Sequence, residues 1–174
     1  MSRSGRRRTA RLSHLDRGGR ARMVDVSAKS PTLREAAAEG SVRMSREAFR
    51  AIRSGTMAKG DAVALARVAG IAAAKRTSEL IPLCHAVPLE HASVDLKFGA
   101  DGRTIGVTAT ARARWSTGVE MEALVAVTTA LLTLYDMAKA IDRAMTLDSI
   151  RVLRKSGGRS GEYVRSAKGR PARP

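Results

Sequence analysis

Residues 93–98, Ser-Val-Asp-Leu-Lys-Phe, alternate polar and apolar side chains. Residues 104–114 answer them, with Ile105, Val107, Ala109, Ala111 and Ala113 on one face. A period of two predicts half-buried strands. Asp101-Gly102, within Gly99 to Gly102, is a tight-turn signal between them. A hairpin with one apolar face needs a cover, and the stretches around it read as helices. The fold class this predicts is α+β, with helices packed on one face of a largely antiparallel sheet.

The helices follow from caps and spacing. Ser45 to Arg53 is predicted as a short amphipathic helix with Ser45 as N-cap, Phe49 and Ile52 inward, and Gly55 as its stop. Asp61 caps a second, roughly Ala62 to Glu79, whose alanines and Gly70 allow close packing on a neighbour. Pro82 ends it and opens a loop to Pro88. The longest helix is predicted from Gly118 to about Met145, opened by a Thr117–Glu120 capping box. A last strand, Ser149 to Arg154, leads into a glycine-rich run.

The chain of 174 residues suits one domain. Its net charge of +16 divides unevenly. Residues 1–22 and 151–174 each carry +7, and the 128 residues between them only +2. Residues 1–13 and 166–174 therefore read as basic, disordered tails around a domain at 14–165. A nearly balanced body, 3% aromatic, argues against specific nucleic-acid binding. The longest uncharged stretch, Ala123 to Tyr135, is shorter than the roughly 20 residues of a membrane span. The single cysteine, Cys84, excludes a Cys-based zinc cluster and fits a reducing, cytoplasmic setting.

Several residues invite chemistry. Asp136 and Lys139 are three apart on the long helix and share a face, as a surface ion pair or as an acid/base pair. Glu120 and Glu122 flank Met121 in its first turn, where acids also suit the helix dipole. His85 follows Cys84 in the loop after Pro82, as a structural or a proton-transfer histidine; no second ligand stands at a metal-binding spacing. Lys59-Gly60-Asp61 and Lys155-Ser156-Gly157-Gly158 set lysines beside glycines, where phosphate can sit, although neither is a Walker A loop. Glu122 and Asp136 are 14 residues apart, about 21 Å along one helix. If both act on one small molecule, the site must draw on two chains.

Five strings go beyond generic pattern: ARMVDVSAKSPTLREAAAEG (21–40), KGDAVALARVAGIAAAKRTSELIPLCH (59–85), TGVEMEALVAV (117–127), LTLYDMAKAIDRAM (132–145) and KSGGRSG (155–161). In this order and spacing the chain resembles the cyclic pyranopterin monophosphate synthase family of molybdenum-cofactor biosynthesis. The likeness covers about His14 to Arg165. It implies a ferredoxin-like α-β plait. It also implies a lyase that converts 3′,8-cyclo-7,8-dihydro-GTP to cyclic pyranopterin monophosphate and releases pyrophosphate. The implied assembly is a homohexamer, a trimer of dimers with sites at the dimer interface. No cofactor is implied, and magnesium could act only as a phosphate counter-ion.

Carried over, Asp136, Lys139 and Lys59 match the family's catalytic aspartate and two lysines. Leu83, Cys84, His85, Met121 and Glu122 match substrate contacts, and Arg34, Glu120 and Lys155 match further site-lining positions. Two departures stand out. Ala138 lies where many relatives have cysteine, and Arg114-Trp115-Ser116 replaces a Gly-Arg-Thr type turn. Two other readings are a basic RNA-associated module acting through its tails, and a non-catalytic relative with a damaged site. The five residues Lys59, His85, Glu122, Asp136 and Lys139 are all present.

Overall fold

The computed structural model describes residues 18–57 and 59–166. The tails predicted at 1–13 and 166–174 lie outside the described residues, apart from Ser166. In chain order the elements are β1 (Thr32–Arg43), α1 (Arg46–Ser54), α2 (Ala62–Ala74), α3 (Thr77–Leu80), β2 (His91–Phe98), β3 (Thr104–Trp115), α4 (Glu120–Ala138), β4 (Thr146–Ser156) and β5 (Tyr163–Val164). The sheet order is β2-β3-β1-β4-β5, with every neighbouring pair antiparallel. Two interleaved split β-α-β units make this the ferredoxin-like arrangement.

Small side chains let the helices sit close. Ala36, Ala38, Gly40 and Val42 of β1 are buried, as are Ala109, Ala111 and Ala113 of β3. A Cβ on Gly40 would lie 2.8 Å from Leu131 Cδ1 and 2.9 Å from Val127 Cγ1, so α4 crosses β1 there. α2 packs on α4 through Ala66, Gly70 and Ala74. A Cβ on Gly70 would lie 2.7 Å from the Ala126 carbonyl oxygen. Gly70→Ala is therefore expected to lower the melting temperature. The helix-propensity gain of about 1 kcal/mol is outweighed by overpacking, which costs about 1–3 kcal/mol. A thermal melt checks the sign.

The other sheet face carries charge instead of helices. Glu35 on β1 pairs with Arg112 on β3 at 2.8 Å and Arg154 on β4 at 2.6 Å, and Glu39 pairs with Arg151 at 2.7 Å. Burial pushes the Glu35 carboxyl upward, but the two guanidiniums outweigh it and hold it below its usual range.

Four local expectations change. The predicted helix 62–79 breaks after Ala74, where the buried Thr77 hydroxyl donates to the Ala74 carbonyl at 3.0 Å and α3 starts anew. The capping box does not form. α4 begins at Glu120 with Val119 as N-cap, so Glu120 stands first in the helix, where its side chain cannot be the third-position partner. α4 also ends at Ala138, well before Met145, because the Asp142 carboxylate accepts from Ala144 N–H at 2.8 Å and Ser45 N–H at 2.7 Å, turning the chain toward α1. Finally, β1 and β5 carry no alternation that marks them as strands, and the predicted last strand extends to 146–156.

α4, at 19 residues, is long and apolar enough to cross a membrane. Here it is the core helix. Ala123, Ala126, Val127, Ala130, Leu131 and Leu134 are buried in the common core.

Candidate functional site

The C-terminal end of α4 carries a carboxylate between two ammonium groups. Lys139 Nζ lies 2.6 Å from Asp136 Oδ1, and Lys59 Nζ lies 3.3 Å from Oδ2. Lys59 also donates to the Asp136 main-chain oxygen at 3.1 Å. Helical spacing supplies Lys139, and the segment between α1 and α2 delivers Lys59. Lys139, then Lys59, hold the Asp136 carboxyl below its ordinary range. All three side chains are about half exposed, so as ion pairs they stabilise the fold little. They remain open to a ligand. Ala138 points into the core, away from the trio, so the change from cysteine there leaves their chemistry alone.

The N-terminal end of α4 borders a cavity of about 400 Å³. Leu83, Cys84 and His85 from the loop after Pro82 line one side, Glu120, Met121 and Glu122 another, and Val24 and Val26 a third. His85 Nε2 sits 2.8 Å from the Val24 carbonyl, which can only accept. Nε2 therefore carries hydrogen, and Nδ1 is the ring atom that can take a proton.

Glu122 is only 3% exposed. Burial pushes its carboxyl up to about 7; its own backbone N–H opposes the rise, and the charge of Glu120 adds to it. Burial and Glu122 also push the Cys84 thiol up. A carboxyl near 7 can give or take a proton at neutral pH. It also carries a stability signature. The folded pKa lies above the ordinary 4.5, so the native state holds the extra proton between 4.5 and about 7. Its stabilising effect is full below 4.5 and is lost as pH rises through about 7. Glu122→Gln is therefore expected to gain thermal stability on the wild type as pH rises through this window, and to match it near pH 4.5. Melting curves of both proteins against pH check this.

A second cavity, of about 560 Å³, adjoins the first and shares Lys29, Thr117 and Gly118 with it. Arg34, Arg159, Ser30, Thr32, Ser116 and Ser160 line it. Arg34 Nε donates to the Trp115 carbonyl at 3.1 Å. A Cβ on Gly158, which has φ +73, would collide with the Arg34 guanidinium, so this glycine is what lets the arginine lie across the loop. Lys155 does not line the cavity; its Nζ donates to the Ser160 hydroxyl, which does. Ser116, part of the departing turn, donates to the Lys29 carbonyl at 2.8 Å and pins the strap 24–30.

The expected residues thus fall into two groups. Leu83, Cys84, His85, Glu120, Met121, Glu122 and Arg34 surround the joined cavities, with Lys155 behind Ser160. Asp136, Lys139 and Lys59 gather at the other end of α4, about 21 Å along its axis. Lys29, Arg159 and Thr117 were not singled out as site residues, although each lies in a quoted string within five positions of one that was.

The MoaC family model matches residues 23–158, a span that contains both groups. The chain belongs to the MoaC family. Relatives at high identity agree. The chain is 57% identical over 153 residues to the cyclic pyranopterin monophosphate synthase of Roseiflexus sp., covering 88% of this chain and 97% of the relative. It is 59% identical over 155 residues to cyclic pyranopterin monophosphate synthase 3 of Mycobacterium tuberculosis, covering 88% and 86%. For the synthase of Chloroflexus aggregans the figures are 56% over 154 residues, covering 88% and 93%. MoaC membership makes the chain an enzyme of molybdenum-cofactor biosynthesis.

Proposed function

We propose that the chain is a cytoplasmic lyase that converts 3′,8-cyclo-7,8-dihydro-GTP to cyclic pyranopterin monophosphate and pyrophosphate. The observation that carries the reading is Asp136 held between Lys139 and Lys59 in a chain whose joined cavities offer an acid and imidazole lobe beside a cationic one. The ring system suits the lobe with Glu122 and His85, which can exchange protons with it. The triphosphate suits the lobe with Arg34 and Arg159, whose guanidiniums match phosphate geometry. Asp136, Lys139 and Lys59 serve the proton transfers of ring opening and pyran formation.

In the phosphate step an internal hydroxyl attacks the α-phosphorus. The new O–P bond forms, the bond to the β-phosphate oxygen breaks, and pyrophosphate leaves with that oxygen. The hydroxyl proton passes to a base of the trio. Proximity supplies most of the rate for an attack of this kind. No protein-bound cofactor enters the reading, and magnesium would serve only as counter-ion on the substrate's phosphates.

The two groups stand about 21 Å apart along α4, so one small substrate bridges them only if they come from different chains. This supports a site shared between two chains, and the family likeness extends that pairing to a homohexamer built as a trimer of dimers. In heavy-oxygen water the expected cyclic phosphate carries no label, because the nucleophile is internal. Label in the pterin phosphate would show attack by water and overturn the step. The basic tails have no part in the reading. Trimming residues 1–12 is expected to leave kcat and KM unchanged, and a large loss in a steady-state assay would show that the tail reaches a site.

A further inference from the structure

Asp142 belongs to neither cavity of the site, yet it is tied closely to the catalytic trio. α4 gives way at Lys139 to a turn in which the Ala138 carbonyl accepts from Ile141 and Asp142 N–H at 2.9 and 3.0 Å. Tyr135 braces the same turn, its hydroxyl donating to the Arg143 carbonyl at 3.1 Å. The Asp142 carboxylate then accepts twice, from Ala144 N–H at 2.8 Å and from Ser45 N–H at 2.7 Å. Ser45 is the N-cap of α1, and its hydroxyl accepts from Ala48 N–H. α1 closes at Gly55, and the chain runs on to Lys59, whose Nζ returns to Asp136. Three contacts and the chain between them close a ring: Lys139 pairs with Asp136, the turn leads to Asp142, Asp142 bonds Ser45, and the chain through α1 leads to Lys59, which returns to Asp136. The Asp142–Ser45 bond ties the turn after α4 to the start of the unit that carries Lys59.

From this ring we infer that Asp142 is a positioning residue of the reaction, fixing Lys59 and Lys139 against Asp136 through its bond to Ser45. The inference rests on the lyase reading above. Opening the ring leaves the lysines on their own segments but frees one segment to shift against the other. A shift of about 1 Å at a reacting group can cost about a hundredfold in rate. The cavities at the far end of α4 are untouched, so substrate affinity holds.

The test is a steady-state comparison of five full-length proteins in the same turnover assay, with melting temperatures measured alongside. Asp142→Ala is expected to lose about tenfold to a hundredfold in kcat with KM within about twofold of wild type. Ser45→Pro removes the same N–H from the other side, and the Ser45 φ of −62° already suits proline. It also removes the hydroxyl that caps α1, so it is expected to lose kcat in the same direction, with a larger drop in melting temperature. The two variants share the Asp142–Ser45 bond, so the double variant is expected to lose less kcat than the product of the two single losses. Ile105→Val, buried on β3, serves as a variant that lowers the melting temperature while keeping kcat. A wild-type kcat in Asp142→Ala overturns the inference, as does a kcat loss in Ile105→Val that tracks melting temperature to the same degree. A folded wild type without turnover sinks the lyase reading itself, and this inference with it.

Discussion

Lys139→Ala is expected to lose about 10²- to 10⁴-fold of product formation, the range associated with a positioned acid or base, with its fold and oligomeric state unchanged. The fold survives because the side chain is half exposed and its pair with Asp136 is a surface pair. The helix survives because position 139 is a C-cap whose backbone N–H bonds the Tyr135 carbonyl, which alanine retains. What goes is the ammonium 2.6 Å from Asp136, the shorter of that carboxylate's two pairings. Asp136 then keeps only Lys59, and its carboxyl rises toward the ordinary range. Circular dichroism and sizing of the variant beside its turnover separate the two effects. Near-normal turnover would remove Lys139 from the chemistry.

Co-assembling Lys139→Ala with Arg34→Ala is expected to restore activity that neither protein has alone. Each of the two changes disables its own group, one at the C-terminal end of α4 and the other at the cavities. If a site takes the trio from one chain and the cavities from its partner, a mixed dimer holds one site with both changes and one with neither. Random mixing makes half the dimers mixed, so about a quarter of all sites are intact. Purified mixed assemblies, formed by co-expression, should turn over at about a quarter of the wild-type rate per chain. If both groups served one site from a single chain, every site would keep a lesion and mixing would restore nothing.

The hairpin, both main helices and the sheet class were legible because their signals are local. Alternation marks 93–98 and 104–114, and Ser45 and Asp61 cap α1 and α2 as their chemistry predicts. β1 was not legible. Its centre, Glu35-Ala36-Ala37-Ala38-Glu39, reads as helix former by composition. It becomes the central strand because β3 and β4 hydrogen-bond both its edges and α4 needs small residues beneath it. The same reason hid the end of α4. The spacing continues past Ala138, and only the Asp142–Ser45 bond, 97 residues apart in sequence, shows why the helix stops.

The candidate residues came from family likeness more than from chemistry. Asp136 and Lys139 at i, i+3 could equally have been a surface pair, and only Lys59, brought back from 77 residues away, makes the carboxylate two-sided. Glu122 looked like a helix-dipole acid. Its burial beside Cys84 is a tertiary fact, and that burial is what raises its pKa.

The most direct test of the account is a turnover assay on purified protein with enzymatically prepared 3′,8-cyclo-7,8-dihydro-GTP, following pyrophosphate and oxidised pterin product together. The account predicts that both appear, in equal amounts. Neither appearing, from protein shown to be folded and assembled, would contradict it.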